Sequence, residues 1–239
     1  MPLLLTRPQP QAAEFARDVR ARFGGQLRII MTPLLVPRFY APVLPTGPFA
    51  GLILTSQTGV EAYLRLGAAT ENLPGQVFCV GVRTADAARA AQLQPVMIAQ
   101  DAASLTAQIE AQPPQGALLH LRGRETRGDI SRQLILAGID TVEAVIYAQE
   151  QQDLTGQAQA ALQDQEPVLV PLFSPRTAAV FAHELTRTCA ISPLFVAAMS
   201  GEVAVELGNT SAQIRIAKRP DATTMLDTVA LLLSDMQHA

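Results

Sequence analysis

The sequence is poor in cysteine and in long runs of apolar residues. Cys79 and Cys189 are its only cysteines, and neither belongs to a Cys-x-x-Cys pair, which argues against a zinc or dithiol site. Both are expected to be buried thiols in a reducing compartment. No stretch approaches the roughly 18 apolar residues of a membrane-spanning helix. The opening MPLLLTRP is too short in apolar residues for a signal peptide, so a cytoplasmic location is expected.

Basic clusters are also lacking. The net charge is -3, and Lys218 is the single lysine among 18 basic residues. Because no basic run is interleaved with aromatic residues, nucleic-acid binding is not expected. With 239 residues, 49% of them hydrophobic, the chain can bury a full core. Its length allows one large domain or two domains of roughly 100 to 120 residues each.

The stretch 116–149 has the most informative pattern in the chain. Ala117–Leu121 is a short apolar run that leads into the polar segment Arg122–Arg124. Asp129–Ala137 has helical spacing and is followed by Gly138, and Thr141–Tyr147 is β-branched and mostly apolar. The pattern predicts a strand, a helix and a parallel strand that ends at the tyrosine. Ligands of open α/β sheets bind at the turns that follow such strands.

The same alternation of strand and helix recurs along the chain. Further strands are predicted at Leu3–Leu5, Leu27–Ile30, Gly51–Leu54, Val77–Val80, Val96–Ile98, Val168–Phe173, Leu194–Ala198 and Ile214–Ala217. Ser56 and Ser174 follow matching strands 118 positions apart, and Ala99 and Ala217 end matching strands with the same offset. The order A-B-A′-B′ predicts two similar α/β domains. Spacing alone leaves open whether A pairs with B or with B′.

An ordered set of segments resembles uroporphyrinogen-III synthase, the HemD family, over nearly the whole chain. The segments are LLLTRP, GLILTSQTGVEAYL, VFCVGVRTADAA, LLHLRG, VIYAQ and LFSPRTAAVFAHEL. The resemblance implies two flavodoxin-like, doubly wound parallel-sheet domains joined by a two-stranded hinge. It pairs residues 1–36 with 152–239 as domain 1, makes 42–147 domain 2, and leaves 37–41 and 148–151 as linkers.

The family resemblance also implies an activity. Such an enzyme takes hydroxymethylbilane, a linear tetrapyrrole that carries acetate and propionate arms, removes water and closes the macrocycle with the last ring inverted. It needs no cofactor and no metal, and the chain is expected to work as a monomer away from membranes. Tyr147 is the candidate general acid for the departing hydroxyl, because a phenol with an ordinary pKa of about 10 stays protonated at neutral pH.

Carboxylate arms are expected to bind at the strand-to-helix turns, where backbone N–H groups are exposed. The candidate substrate-binding residues are Thr6, Arg7, Thr55, Ser56, Gly81, Thr84, Arg122, Gly123, Arg124, Ser174, Pro175 and Ser200. Arg122 and Arg124 are the candidate charged clamps. Met199–Glu202 departs from the family pattern, and Glu202 would repel a carboxylate. The three histidines, His120, His183 and His238, form no metal or triad pattern and are not expected in the site.

Two other functions fit parts of the sequence. A hinged two-domain protein could capture an anionic small molecule without chemistry, and it would not need Tyr147. A nucleotide enzyme fits less well, because GRETRG at 123–128 lacks the Lys-Ser/Thr of a P-loop and no Gly-x-Gly-x-x-Gly follows a strand.

Overall fold

The computed structural model describes residues 1–9, 11–125 and 128–237. The chain divides into two compact units: unit 1 consists of Met1–Val36 with Glu150–Ala239, and unit 2 is Pro37–Gln149. None of the helices in the described ranges combines the length and apolar character needed to cross a membrane.

Unit 1 is built on a parallel sheet with the strand order β11-β10-β9-β1-β2. Its elements are β1 (Pro2–Leu5), α1 (Gln11–Phe23), β2 (Arg28–Met31), α6 (Gly156–Gln163), β9 (Val168–Leu172), α7 (Pro175–Arg187), β10 (Leu194–Ala198), α8 (Gly201–Val205), β11 (Ala212–Ile216) and α9 (Ala222–Gln237). The central strands β9 and β10 are buried along their whole length, as expected for a sheet covered by helices on both faces.

Unit 2 has a sheet with the strand order β3-β8-β7-β4-β5-β6. Its elements are β4 (Phe49–Leu54), α2 (Gln57–Arg65), β5 (Gln76–Val80), α3 (Val82–Ala90), β6 (Gln94–Ala99), α4 (Ala102–Ala111), β7 (Ala117–Gly123) and α5 (Ile130–Leu136). Two further strands, β3 (Leu35–Phe39) and β8 (Thr141–Gln151), carry the chain across the boundary between the units.

The two sheets share one topology. Apart from β3, the order β8-β7-β4-β5-β6 matches β2-β1-β9-β10-β11 strand for strand. The strands β4, β5 and β6 correspond to β9, β10 and β11 with the offset of 118 seen in the sequence. Because β1 pairs with β9 and β7 pairs with β4, the first quarter of the chain pairs with the last and the two middle quarters pair with each other. This is the pairing that the family resemblance implies.

Several predicted boundaries were wrong because strand pairing extends the elements. Arg122 and Gly123 were predicted in a turn, but both lie in β7 and pair with Val145 and Tyr147 of β8. Strand β8 does not end at Tyr147 but continues to Gln151, so that it includes residues 148–151.

The two cysteines differ in their surroundings. Cys79 is buried in β5, as predicted. Cys189 is exposed, contrary to the prediction, because it lies in the turn after α7 with a φ of 49°. Both thiols are free.

The sheet of unit 2 places apolar cores on both faces. Leu119 and Leu121 of β7 pack in one cluster with Tyr147, whereas Leu118 packs in a second cluster with Ile130. This alternation is the period of two expected for a strand buried on both faces. It puts His120 on the same face as Leu118, toward α5.

Candidate active site

A cavity of about 330 Å³ lies at the carboxyl edge of the unit 2 sheet. Since β4, β5, β7 and β8 are parallel, the residues that follow or end them converge at this edge. The cavity is lined by Thr55, Ser56, Val80, Gln100, Asp101, Ala102, His120, Gly123, Glu125, Gly128, Ile130 and Tyr147. Four of the candidates from the sequence, Thr55, Ser56, Gly123 and Tyr147, are therefore brought together here.

Tyr147 is fixed in this cavity by Ser56. The phenol oxygen of Tyr147 lies 2.9 Å from the hydroxyl of Ser56, and the tyrosine is 9% exposed. The same Ser56 oxygen accepts a hydrogen bond from the backbone N–H of Gly59 and so caps α2. Burial raises the pKa of Tyr147 further above its ordinary value, against the opposing effect of the Ser56 hydrogen bond. The phenol is therefore protonated at neutral pH and can donate a proton.

Gly123 makes room for the tyrosine ring. A Cβ atom at Gly123 would lie 2.7 Å from Cζ of Tyr147 and 3.0 Å from its hydroxyl oxygen. Such contacts are shorter than van der Waals distance, so a larger residue here would displace the ring. The glycine is needed for this close approach, although the sequence suggested a turn glycine.

His120, which the sequence analysis set aside, lines the same cavity. It is 3% exposed, and its Nδ1 lies 2.8 Å from the hydroxyl of Ser131. Burial lowers the pKa of His120 to about 4; the nearby Glu143 opposes this shift and Arg122 adds to it. The imidazole is therefore neutral at physiological pH. Of the other two histidines, His183 is exposed on α7, and His238 lies outside the described residues.

Two carboxylates at the cavity accept hydrogen bonds from backbone N–H groups. Asp101 caps α4 by accepting a hydrogen bond from the Ser104 N–H, which lowers the pKa of this aspartate. Glu125 accepts one from the N–H of Gln149. The sequence gave no indication of the Glu125 contact, because its approach to Gln149 depends on the pairing of β7 with β8.

The two arginines proposed as clamps do not line the cavity. Arg122 donates from Nε to Glu143 at 2.8 Å and from its terminal nitrogen to the carbonyls of Gly123 and Arg124. Arg124 donates to the hydroxyl of Tyr40 and lies over its ring. Together with Arg38 and Tyr40, Arg124 lines a separate cavity of about 630 Å³ in unit 2.

Gly81 and Thr84 lie near the same edge, at the start of α3. Gly81 has a φ of 81° and precedes the first residue of the helix. Thr84 was predicted in the turn, but α3 begins at Val82, so Thr84 lies in the first helical turn and is 5% exposed.

The remaining candidates lie at the carboxyl edge of the unit 1 sheet. Thr6 follows β1, is fully buried, and its hydroxyl has no hydrogen-bond partner within the described residues. Arg7 stacks over Phe173 at 4.0 Å. Ser174 caps α7, whose first residue is Pro175, and Ser200 caps α8.

The largest cavity described in unit 1, of about 780 Å³, contains none of the predicted site residues. It lies among α1, β11 and α9, and two of its three cations, Arg22 and Arg215, are paired with Asp227 and Asp235. Across the described residues, no group of three or more His, Cys, Asp or Glu side chains is placed to hold a metal ion.

Comparison with solved structures supports the fold. The chain is similar to uroporphyrinogen-III synthetase from Helicobacter pylori, with a TM-score of 0.64 and 19% identity over 97% of this chain and 98% of that one. It is also similar to a mutant uroporphyrinogen III synthase from Thermus thermophilus, with a TM-score of 0.52 and 12% identity over 98% and 99% of the two chains.

No curated protein matches the chain significantly. The family model described as Uroporphyrinogen-III synthase HemD matches residues 36–227, well over half of the chain. That match covers the whole of unit 2 and most of unit 1. The chain therefore belongs to the uroporphyrinogen-III synthase HemD family and is a cyclising lyase of tetrapyrrole biosynthesis.

Proposed function

We propose that the cavity at the carboxyl edge of unit 2 is where this enzyme removes water from hydroxymethylbilane, with Tyr147 as the general acid. The observation that carries the proposal is the placement of a buried, protonated phenol, held by Ser56, at the ligand-binding edge of a parallel sheet. General acid assistance of this kind is typically worth about 10² to 10⁴ in rate.

In the proposed reaction, Tyr147 gives up a proton as water leaves and regains one after the ring closes. The pyrrole nitrogen supplies an electron pair as the bond between carbon and the hydroxymethyl oxygen breaks, and the oxygen takes the proton of Tyr147 and leaves as water. The substituted carbon of the last ring then attacks the resulting cation, and the spiro intermediate fragments and recloses with that ring inverted. The proton lost when the last pyrrole regains aromaticity restores the phenol.

Orientation is the second task of the site, because unassisted closure gives the isomer without inversion. We propose that the remaining sequence candidates bind the carboxylate arms of the substrate. In unit 2 these are Thr55, Ser56, Gly81, Thr84, Arg122, Gly123 and Arg124; in unit 1 they are Thr6, Arg7, Ser174, Pro175 and Ser200. The N-caps of α2 and α7 among them support this role, since helix N-termini bind anions.

The two units are proposed to act as hinged domains, 1–36 with 152–239 and 42–147. The segments 37–41 and 148–151 are proposed to be their linkers. The exchange of the chain between units through β3 and β8 supports this division. We further propose a cytoplasmic monomer that does not bind nucleic acid. Two free thiols and an acidic net charge of -3 support the compartment and the absence of nucleic acid.

The test is a coupled assay in which hydroxymethylbilane is generated in situ and the purified protein is added without metals or nucleotides. The products are oxidised, and the type I and type III porphyrin isomers are separated by chromatography. Predominantly type III isomer is expected. Type I isomer alone, formed at the spontaneous rate with folded protein present, would contradict catalysis and leave a two-domain anion binder.

A further inference from the structure

His120 lines the active-site cavity, and one nitrogen of its imidazole ring is buried without a hydrogen-bond partner in the described part of the chain. His120 lines the cavity and is 3% exposed, and its Nε2 has no hydrogen-bond partner among residues 1–9, 11–125 and 128–237. A buried polar atom without a partner is unfavourable, so native proteins rarely retain one. A ligand that enters the cavity can supply the missing partner.

The side chains beside Nδ1 of the ring determine whether Nε2 donates or accepts a hydrogen bond. Arg122 donates from Nε to Glu143, and an oxygen of the same carboxylate lies 3.7 Å from Nδ1 of His120. Because this negative charge favours a proton on the nearer ring nitrogen, Nδ1–H donates to the Ser131 oxygen at 2.8 Å. A neutral imidazole with its proton on Nδ1 has a lone pair on Nε2. The free nitrogen is therefore an acceptor.

The charges around His120 favour this neutral form. Burial of the ring disfavours the imidazolium, and Arg122 adds to that effect. Glu143 lies 3.7 Å from Nδ1 and acts in the opposite sense, but its carboxylate is already paired with Arg122. Asp101 and Glu125 line the same cavity and accept hydrogen bonds from backbone N–H groups. No charged donor reaches Nε2 within the described residues.

We infer that Nε2 of His120 accepts a hydrogen bond from a pyrrole N–H of the tetrapyrrole, and this rests on the proposed function of the cavity. Apart from the departing hydroxyl, which is proposed to meet Tyr147, hydroxymethylbilane offers two kinds of polar group, carboxylates and pyrrole N–H groups. A nitrogen lone pair repels the former and accepts from the latter. When the hydroxyl leaves, the adjacent pyrrole becomes cationic and its N–H becomes a stronger donor, so this bond strengthens in the transition state.

Two matched substitutions distinguish the contribution of Nε2 from that of Nδ1. In His120→Asn the side-chain amide can still donate to Ser131 from the position of Nδ1, but nothing replaces Nε2. In His120→Gln the longer side chain can place its carbonyl oxygen near the position of Nε2. We expect kcat/KM to fall at least about tenfold in His120→Asn and to stay within about threefold of wild type in His120→Gln. Thermal unfolding of both variants verifies that they are folded at the assay temperature.

The tautomer provides a readout that does not depend on turnover. In protein labelled with ¹⁵N-histidine, His120 is identified by the loss of its signals in His120→Asn. We expect a protonated Nδ1 and an unprotonated Nε2, with the Nε2 resonance shifting when uroporphyrinogen III is added anaerobically. A proton on Nε2, no shift with bound product, or wild-type kinetics in a folded His120→Asn would each overturn the inference. A wild-type protein that yields only type I isomer would instead refute the proposed function, whereas the tautomer of the free protein would still be measurable.

Discussion

At the level of single residues, the position of Tyr147 depends on the absence of a side chain opposite it. Gly123 faces the ring from the neighbouring strand, and a Cβ there would meet Cζ at 2.7 Å. The Ser56 hydroxyl contacts the phenol oxygen at the same end of the ring. The phenol is thus oriented by one polar contact and one steric restriction.

Gly123→Ala is expected to displace the phenol and reduce kcat at least tenfold. Overpacking of this kind typically lowers the free energy of unfolding by about 1 to 3 kcal/mol. The coupled isomer assay and chemical denaturation measure the two effects. Gly75→Ala is the matched control, because a Cβ atom added at Gly75 would have no neighbouring atom within 4 Å. Equal activity of the two alanine variants would show that the ring position does not matter.

Part of the cavity lining could be predicted from the sequence, where the pattern that indicates it is local. Tyr147, Ser56, Thr55 and Gly123 were named from their positions at strand ends, and all four line the cavity. His120, which also lines the cavity, was not named from the sequence, because its contacts with Ser131 and Glu143 arise only from the packing of α5 and β8 on β7. The apolar residues that flank His120 in the sequence do not indicate these contacts.

At the level of elements, the N-cap of α2 has two functions. Ser56 accepts from the Gly59 N–H at 2.9 Å and also contacts Tyr147. Ser56→Ala is expected to lower the free energy of unfolding by about 1 kcal/mol and to reduce turnover severalfold. Thr155→Ala removes the cap of α6, which does not touch the cavity, and is expected to affect stability alone. A loss of activity in Thr155→Ala as large as in Ser56→Ala would show that helix stability alone explains the effect.

Helix α7 contains a buried carboxylate that links stability to pH. Glu184 is 4% exposed, accepts two hydrogen bonds from Arg187 at 2.7 Å and one from the N–H of Leu154. The Arg187 hydrogen bonds lower the pKa of Glu184 below its ordinary 4.5. A lowered folded-state pKa contributes stability that is fully present above the unfolded-state value and is lost as the pH falls through the folded one.

Glu184→Gln is therefore expected to lower the free energy of unfolding by about 1 to 3 kcal/mol at pH 7. The difference from wild type should shrink as the pH falls below 4.5. Denaturant unfolding between pH 7 and pH 3 measures it, with the exposed Glu14→Gln on α1 as the control. A difference that is constant over this range would refute the role of the ionised carboxylate.

Whether a segment forms a helix or a strand could be predicted from periodicity, but the residues at which these elements end could not. The polar run Arg122–Arg124 suggested a turn, yet β7 continues to Gly123 because β8 provides parallel hydrogen-bonding partners. Strand β8 likewise passes Tyr147, and the backbone N–H of Tyr40 donates to the carbonyl of Ile146 beside it. Such pairing joins residues that are 23 positions apart, as Arg122 and Val145 are, or 106 positions apart, as Tyr40 and Ile146 are, and is not visible in a local window.

At the level of the whole molecule, the chain contains one topology twice. The constant offset of 118 predicted the duplication, but spacing left open which quarters pair, and the family resemblance supplied that choice. In the structure each unit has its own sheet and its own apolar clusters. Unit 2 is also continuous in sequence, unlike unit 1.

Residues 37–149 are therefore expected to fold when expressed alone, because both apolar clusters of unit 2 lie within this range, as does its sheet apart from the first two residues of β3 and the last two of β8. Far-UV circular dichroism and a cooperative thermal transition measure folding. The fragment is expected to yield only type I isomer in the coupled assay, since it lacks Thr6, Arg7 and Ser174. Type III isomer from the fragment would show that the carboxylate contacts proposed in unit 1 are dispensable.

The most direct test of the account is the comparison of Tyr147→Phe with wild type in the coupled isomer assay. Removal of the phenol oxygen is expected to slow formation of the type III isomer at least tenfold and to leave the affinity for uroporphyrinogen III nearly unchanged. Tyr63→Phe on α2, which lies outside the cavity lining, is expected to behave as wild type. An unaltered rate in Tyr147→Phe would remove this residue from the mechanism.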